Sequence, residues 1–230
     1  LDAFVPDGSG PHPAVILVHG GGWTGGDKDG GRNQGYMMPL HAPLTAAGFA
    51  WFSINYRLAP AHRHPAAVED VETAIRWIKA HAAEYRVDPR RLALSGESAG
   101  GHLVALAAVR ADASTRVAAV APIYGVFDLA AEAQRRQGLI PSFNKLLGRD
   151  VLDDTMLKLM HDASPIHFVK PGLPPFLLMH GDADQTVAYQ QSLDMQTRLR
   201  AAGVPCELIT VKGGPHGMLP WPALAPDFKD

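Results

Sequence analysis

Residues 91–109 read Arg91-Leu92-Ala93-Leu94-Ser95-Gly96-Glu97-Ser98-Ala99-Gly100-Gly101-His102-Leu103-Val104-Ala105-Leu106-Ala107-Ala108-Val109. The first five residues are a short apolar run of the kind that forms a buried strand. The stretch from Ala99 onward is a small-residue run of helical length. Between them lies a G-x-S-x-G pentapeptide, Gly96 to Gly100. A turn that reverses a strand into a helix within so few residues forces its central residue into strained backbone. Small neighbours let the chain pass without clashes. Such a turn holds the Ser98 hydroxyl at the C-terminal end of the strand, beside a helix N-terminus that favours developing negative charge. A glycine-rich turn with an incidental serine is the plainer alternative.

Working outward, strands and helices alternate. Pro13–Gly20 and Phe49–Asn55 read as buried parallel strands. Pro65–Ala83 carries Val68, Val71, Ile75, Ile78 and Ala82 at helical spacing, with Pro65, Glu69 and Asp70 suited to its first turn. Val117–Tyr124, Pro175–His180 and Glu207–Val211 are further strands, Ala188–Ala202 a helix ended by Gly203, and Leu1–Pro6 a candidate antiparallel edge. The order predicts an α/β fold over residues 1–230: one open, mostly parallel sheet with helices on both faces. From Asp128 to Val169 no core strand is visible, and a helical insertion or partial lid is expected there.

Composition bounds the function. The 230 residues are 47% hydrophobic and 19% charged, ordinary for a globular chain able to bury a large core without metal or disulfide staples. Lys and Arg number 21 against 23 Asp and Glu, and this balance argues against a nucleic-acid partner held by counterion release. The longest apolar run, Leu103 to Val109, is far short of the roughly 18 residues that span a bilayer, so no membrane partner is expected. The chain opens at Leu1 without an initiator Met, and a processed or trimmed piece is expected. Cys206 is the only cysteine, so no intrachain disulfide forms.

A serine nucleophile needs donors for the oxyanion, a base and an orienting acid. His19-Gly20-Gly21-Gly22-Trp23 follows a strand, and its glycines let backbone N–H groups point at a substrate oxygen with no Cβ in the way. Gly21 and Gly22, with Ala99, are the oxyanion-hole candidates. A phosphate loop fits poorly, because no Lys-Ser/Thr follows and G-x-G-x-x-G spacing is missing. His19 reads as a loop brace. Of the 11 histidines, His216 sits in Gly213-Gly214-Pro215-His216-Gly217, a loop after the last strand that returns to the edge bearing Ser98. His62, His64, His102 and His180 read as loop or packing residues, and the His62-x-His64 pair lacks a nearby third metal ligand, so no metal is expected. Asp182 and Asp184 compete for the acid. Reach across the loop favours Asp184, and Asp182 suits a local turn. The order Ser98, Asp184, His216 is the nucleophile–acid–base order.

With these residues assembled, the chain resembles the α/β-hydrolases. It is similar to the esterase branch that holds hormone-sensitive-lipase-like carboxylesterases and bacterial acetyl-xylan and feruloyl esterases. His19–Trp23 with Gly26-Asp27-Lys28 resembles the HGGGW…GDK pattern of the polysaccharide-directed group, Asn55–Pro60 the NYRLAP segment, Gly96–Gly101 the GESAGG elbow, and His180–Val187 the HG-x-x-D-x-x-V segment that assigns the acid to Asp184. The early strands and cap helices of the lipase-like branch have no counterpart, which favours an open site for a sugar-borne ester. The resemblance implies a cofactor-free serine carboxylic ester hydrolase acting through an acyl-enzyme. It implies acetyl or feruloyl esters of plant-type polysaccharides or related small esters as substrates, and a secreted or periplasmic location if the substrate is polymeric. Asn55, Tyr56, Arg57 and Asp70 read as a buried polar brace. Trp23 lines the substrate pocket or packs in the core; Phe143, Leu146 and Leu147 face substrate or cover the sheet. Activity is expected to fall in mild acid, where a charged imidazole accepts no proton. A general short-chain carboxylesterase or lipase, a prolyl-oligopeptidase-type exopeptidase, and a non-catalytic ligand receptor on the same fold stay open as alternatives.

Overall fold

The structure is a computed structural model that describes residues 1–29 and 38–225. Every candidate site residue lies among them. In chain order the elements are β1 (Asp2–Phe4), β2 (His12–Val18), α1 (Met38–Ala46), β3 (Ala50–Ile54), α2 (Ala66–Ala80), β4 (Val87–Glu97), α3 (Ala99–Arg110) and β5 (Ala119–Ile123). Then come α4 (Leu129–Arg135), α5 (Pro141–Leu147), α6 (Asp154–Ala163), a 3₁₀ turn at Pro165–Phe168, β6 (Phe176–Gly181), α7 (Gln190–Ala201), β7 (Cys206–Val211) and α8 (Trp221–Leu224).

The strands form one sheet in the order β1-β3-β2-β4-β5-β6-β7. All pairings are parallel except β1 with β3, so the short N-terminal strand is the antiparallel edge that the sequence suggested. Alternate side chains of the central strands enter two cores, as a parallel strand covered on both faces requires. Ile16, Val18, Phe52, Leu92 and Leu94 pack with Val68, Val71, Ile75 and Ile78 of α2 and with α3, which is buried from Ala99 to Val109. Val15, Leu17 and Trp51 face the other way, toward Leu40 and Leu44 of α1 and toward Trp221 of α8.

Register aligns the strand ends. Val18 pairs with Ile54 and Gly96, Glu97 with Ile123, and Gly181 with Val211. The loops that leave β2, β4, β5, β6 and β7 therefore emerge along one edge. Successive strands diverge after β2, with β3 on one side and β4 on the other. The crevice at that divergence is where an open α/β sheet accommodates a ligand.

Two details depart from the sequence reading. Helix α1 was not anticipated: Pro43 lies inside it and its apolar residues form no stripe. Strand β4 runs on through Gly96 to Glu97, so the first two residues of the pentapeptide still belong to the sheet. The interval 128–169 holds α4, α5, α6 and the 3₁₀ turn. Asp128 and Asp153 cap α4 and α6 by accepting the Ala131 and Met156 N–H groups. Among the described residues no helix is long and apolar enough to cross a membrane, and no cluster of three metal-ligating side chains occurs.

Candidate active site

The elbow is built by close backbone approach. A Cβ on Gly100 would stand 2.0 Å from the Val18 carbonyl oxygen and 2.7 Å from that of His19. A Cβ on Gly96 would stand 2.6 Å from the backbone of Gly100. Only glycine lets α3 start so near β2 and fold back over its own strand. Ser98 sits at φ 53°, ψ −116°, a conformation costing on the order of 1–3 kcal/mol in a residue with a side chain. It is held there by its N–H donating to the Ile123 carbonyl at 2.9 Å and by its own carbonyl accepting the His102 N–H at 3.0 Å. This geometry leaves the hydroxyl half-exposed at the sheet edge.

His216 Nε2 lies 3.1 Å from Ser98 Oγ, and His216 Nδ1 lies 2.6 Å from Asp184 Oδ2. A carboxylate only accepts, so Nδ1 carries the proton and Nε2 is left with a lone pair toward the hydroxyl. The His216 loop is pinned from three sides. The Trp221 indole N–H donates to the Pro215 carbonyl at 3.0 Å, the Ala183 N–H to the Gly214 carbonyl at 3.1 Å, and the Tyr124 ring lies 4.5 Å from the imidazole. Glycine at 181 is required here, because a Cβ would stand 2.0 Å from the Gly214 carbonyl oxygen.

Of the two competing aspartates, the structure brings Asp184 to the histidine. Its Oδ1 accepts the Thr186 and Val187 N–H groups at 2.7 and 2.9 Å, and its Oδ2 accepts from His216 and from His180 Nε2, the latter at 3.2 Å. Burial alone raises this carboxyl's pKa. The His180 and His216 bonds, the imidazole charge and the Val187 N–H outweigh burial and hold it well below the usual carboxylate range. Asp182 is a tie between loops rather than a local turn residue. It accepts the Gly213 N–H at 2.6 Å and pairs with Lys212 at 2.8 Å, so it fixes the loop after β6 to the one that bears His216.

Gly21 and Gly22 adopt φ 100° and 60°, and Trp23 also has φ 60°. Among the described residues the N–H groups of Gly21, Gly22 and Ala99 have no hydrogen-bond acceptor, and all three residues line one cleft with Ser98 and His216. His19 braces the loop as expected: its Nδ1 bonds the Gly20 carbonyl at 2.8 Å and its ring stacks on Tyr56 at 4.3 Å. The Tyr56 hydroxyl lies 3.1 Å from both the His19 and Gly20 carbonyls. The proposed brace is buried only at Tyr56. Asn55 and Arg57 are exposed, bonded respectively to Asp27 and Lys28 and to Asp70. Trp23 both packs and lines the cleft. It is 3% exposed, and its indole N–H donates to His102 Nδ1 at 3.0 Å while His102 Nε2 bonds the Ala163 carbonyl. Phe143 does the same, fully buried against Trp23 and on the cleft wall; Leu146 and Leu147 only cover the core.

Sequence reasoning passed over two groups at this site. His180 ends a strand and read as structural. Its Nε2–H is shared between the Val187 carbonyl and Asp184, while Nδ1 meets the Ser192 hydroxyl, so it acts as a second donor to the acid. Glu97, inside the pentapeptide itself, is 3% exposed, and its Oε1 accepts the Gly20 N–H at 2.5 Å. It ties the elbow to the glycine loop. Burial pushes its pKa up to about 7 against the opposing pull of the Gly20 N–H and the His216 charge. Its place beside Ser98 was a local signal, but its partner Gly20 lies 77 residues away.

The cleft has a volume of about 300 Å³ and holds Ser98, His216 and the glycine loop in its walls. Comparison with known proteins agrees with this geometry. The BD-FAE family profile matches residues 1–199. The probable carboxylic ester hydrolase LipM of Mycobacterium tuberculosis is 35% identical over 84% of this chain, and the chain spans about half the length of that and similar curated relatives, 46% in the case of LipM. A truncated carbohydrate esterase from gut microbiota superposes with TM-score 0.80 at 29% identity, covering 95% of this chain and 84% of that one. A butyrate-bound esterase of Thermogutta terrifontis superposes with TM-score 0.75 at 26% identity, covering 94% of this chain and 79% of that one. A nucleophile elbow, a matched family profile and esterase neighbours on the same sheet lead to one assignment: the chain belongs to the BD-FAE family and has the α/β-hydrolase fold.

Proposed function

We propose that this protein is a serine carboxylic ester hydrolase that removes acetyl or feruloyl groups from plant-type polysaccharides or related small esters. The observation that carries the reading is the unbroken chain Ser98 Oγ, His216 Nε2, His216 Nδ1, Asp184 Oδ2 with steps of 3.1 and 2.6 Å. His216 takes the Ser98 proton as Oγ attacks the ester carbonyl. The new oxyanion is met by the N–H groups of Gly21, Gly22 and Ala99. His216, now charged and steadied by Asp184, protonates the departing alcohol. A water then enters, gives its proton to His216 and attacks the acyl-enzyme; Ser98 recovers its proton when the acid leaves. Each oxyanion donor is worth about 3 kcal/mol in systems of this kind.

The carbohydrate esterase neighbour and the open cleft support a sugar-borne ester. A polymeric substrate would place the enzyme outside the cell or in the periplasm. The helical interval 128–169 contributes Glu132, Arg136, Ile140, Ser142 and Phe143 to the cleft and acts as a partial lid. A second reading, a general short-chain carboxylesterase, is favoured by the butyrate bound to the Thermogutta relative. The test is initial rates on p-nitrophenyl acetate, butyrate and octanoate, methyl ferulate and acetylated xylan, with Ser98→Ala as control. Acetate or ferulate release that vanishes in Ser98→Ala supports the first reading. Turnover confined to short p-nitrophenyl esters supports the second. Turnover that survives Ser98→Ala refutes both.

A further inference from the structure

The wall of the cleft contributed by α4 carries a charge arrangement that the ester chemistry does not use. Glu132 is 1% exposed, and its Oε1 accepts from two guanidinium groups, Arg135 Nη2 at 2.5 Å and Arg136 Nε at 2.8 Å. A buried carboxylate is costly unless paired, and this one is paired twice. The consequence is that Arg136 is fixed. Its Nε is held by Glu132 and its Nη2 donates to the Thr186 carbonyl on the Asp184 loop. Its side chain stays 29% exposed, and both Arg136 and Glu132 line the cleft that contains Ser98 and His216. Two of the five guanidinium N–H groups are committed by these bonds. Among the described residues the others have no acceptor.

Of the other charges at this end, Asp184 is enclosed by its four donors, Arg135 points its bonds at Glu132, and Glu97 is occupied by the Gly20 N–H. A rigid guanidinium on the wall of a reaction cleft, with donors to spare and its rotamer already fixed, is suited to a planar carboxylate. We propose that Arg136 is a specificity residue that selects esters carrying a free carboxylate on the acyl or alcohol part, as an O-acylated uronic acid residue of an acidic glycan does. This rests on the reading of the cleft as the ester site.

Two matched pairs test it. On the acyl side, the 4-nitrophenyl monoester of glutaric acid is compared with that of its neutral monoamide. On the alcohol side, acetate release from O-acetylated galacturonic acid is compared with release from its primary amide. The proposal expects wild-type kcat/KM to favour the carboxylate in one pair by about tenfold, the worth of one charge-assisted hydrogen bond at a partly exposed site. The preference is expected to shrink as salt is raised to about 0.5 M. It should disappear in Arg136→Gln and survive in part in Arg136→Lys. The pair that shows it tells which side of the ester the guanidinium reads. No preference in either pair overturns the proposal, as does a preference that Arg136→Gln leaves intact. Equal losses on both members of a pair in Arg136→Gln also overturn it, since they would make Arg136 a brace for the Thr186 loop. If Arg136→Gln does not fold, the wild-type ratios and their salt dependence decide alone. Turnover of the neutral esters without a preference refutes this inference only; no Ser98-dependent turnover of any of the four refutes the ester site beneath it.

Discussion

Replacing Asp184 by Asn is the sharpest test of the site's electrostatics. The two carboxylate oxygens face four donors: Thr186 N–H and Val187 N–H on Oδ1, His216 Nδ1–H and His180 Nε2–H on Oδ2. An amide has only one acceptor oxygen. In one orientation its NH₂ group meets the two histidines, in the other the two backbone N–H groups. The first is the less damaging, because His216 relieves it by moving its proton to Nε2. That tautomer presents a proton to Ser98 where a lone pair is required. The expected loss in kcat is on the order of 10⁴-fold, the size of the effect when the same tautomer is imposed in a serine protease. His180 has no such escape: its Nε2–H is also held by the Val187 carbonyl, so one donor pair stays opposed at a cost of about 1–3 kcal/mol. For a chain of this length that lowers Tm by roughly 2–10 °C. The assay is steady-state hydrolysis of p-nitrophenyl butyrate near neutral pH, with Tm and circular dichroism to establish that the variant is folded. Asp182→Asn serves as the comparison, since that side chain meets only Lys212 and Gly213, and a loss under about tenfold is expected there. A folded Asp184→Asn enzyme within tenfold of wild type, or a larger loss at Asp182 than at Asp184, would refute the reasoning.

Three further outcomes follow from the same geometry. In Glu97→Gln the Gly20 N–H keeps an acceptor while the titration disappears. The folded pKa of about 7 lies above the ordinary 4.5, so the wild-type contribution is full below pH 4.5 and is lost as pH rises through 7, a swing of about 3 kcal/mol that thermal melts across that window should show in wild type and not in the variant. Equal slopes would sink the assignment of that titration to Glu97. In Gly100→Ala the new Cβ meets two backbone carbonyls that no side-chain rotation can move, so a loss of about 3 kcal/mol or failure to accumulate as folded protein is expected; a Tm unchanged from wild type would show the approach of α3 to β2 to be looser than described. Tyr56→Phe removes the donor shared by the His19 and Gly20 carbonyls and should cost about 1–2 kcal/mol, read by urea unfolding, with a fall in kcat on short esters if the glycine loop loosens; unchanged stability would mean that water replaces the hydroxyl.

Much of this was fixed by local sequence. The strand–elbow–helix run 91–109 imposes its own geometry, because glycines at 96 and 100 allow the close backbone approach of the turn, and short apolar runs ended by glycine read as buried parallel strands. Parallel register then forces the loops bearing His19–Trp23, Ser98, Asp184 and His216 onto one edge, so the meeting of these residues was legible before any coordinates. Helix α1 was not, because its stability comes from packing Leu40 and Leu44 on the second face of the sheet and not from its own periodicity. The roles of Glu97, His180 and Arg136 were not legible either. Glu97 meets a glycine 77 residues away, and Arg136 meets a carbonyl 50 residues away. Such contacts have no period and no spacing to betray them. They exist because the sheet brings separate loops to one edge, and there the donors that meet each buried carboxyl, many at Asp184 and one at Glu97, decide whether burial or hydrogen bonding sets its pKa.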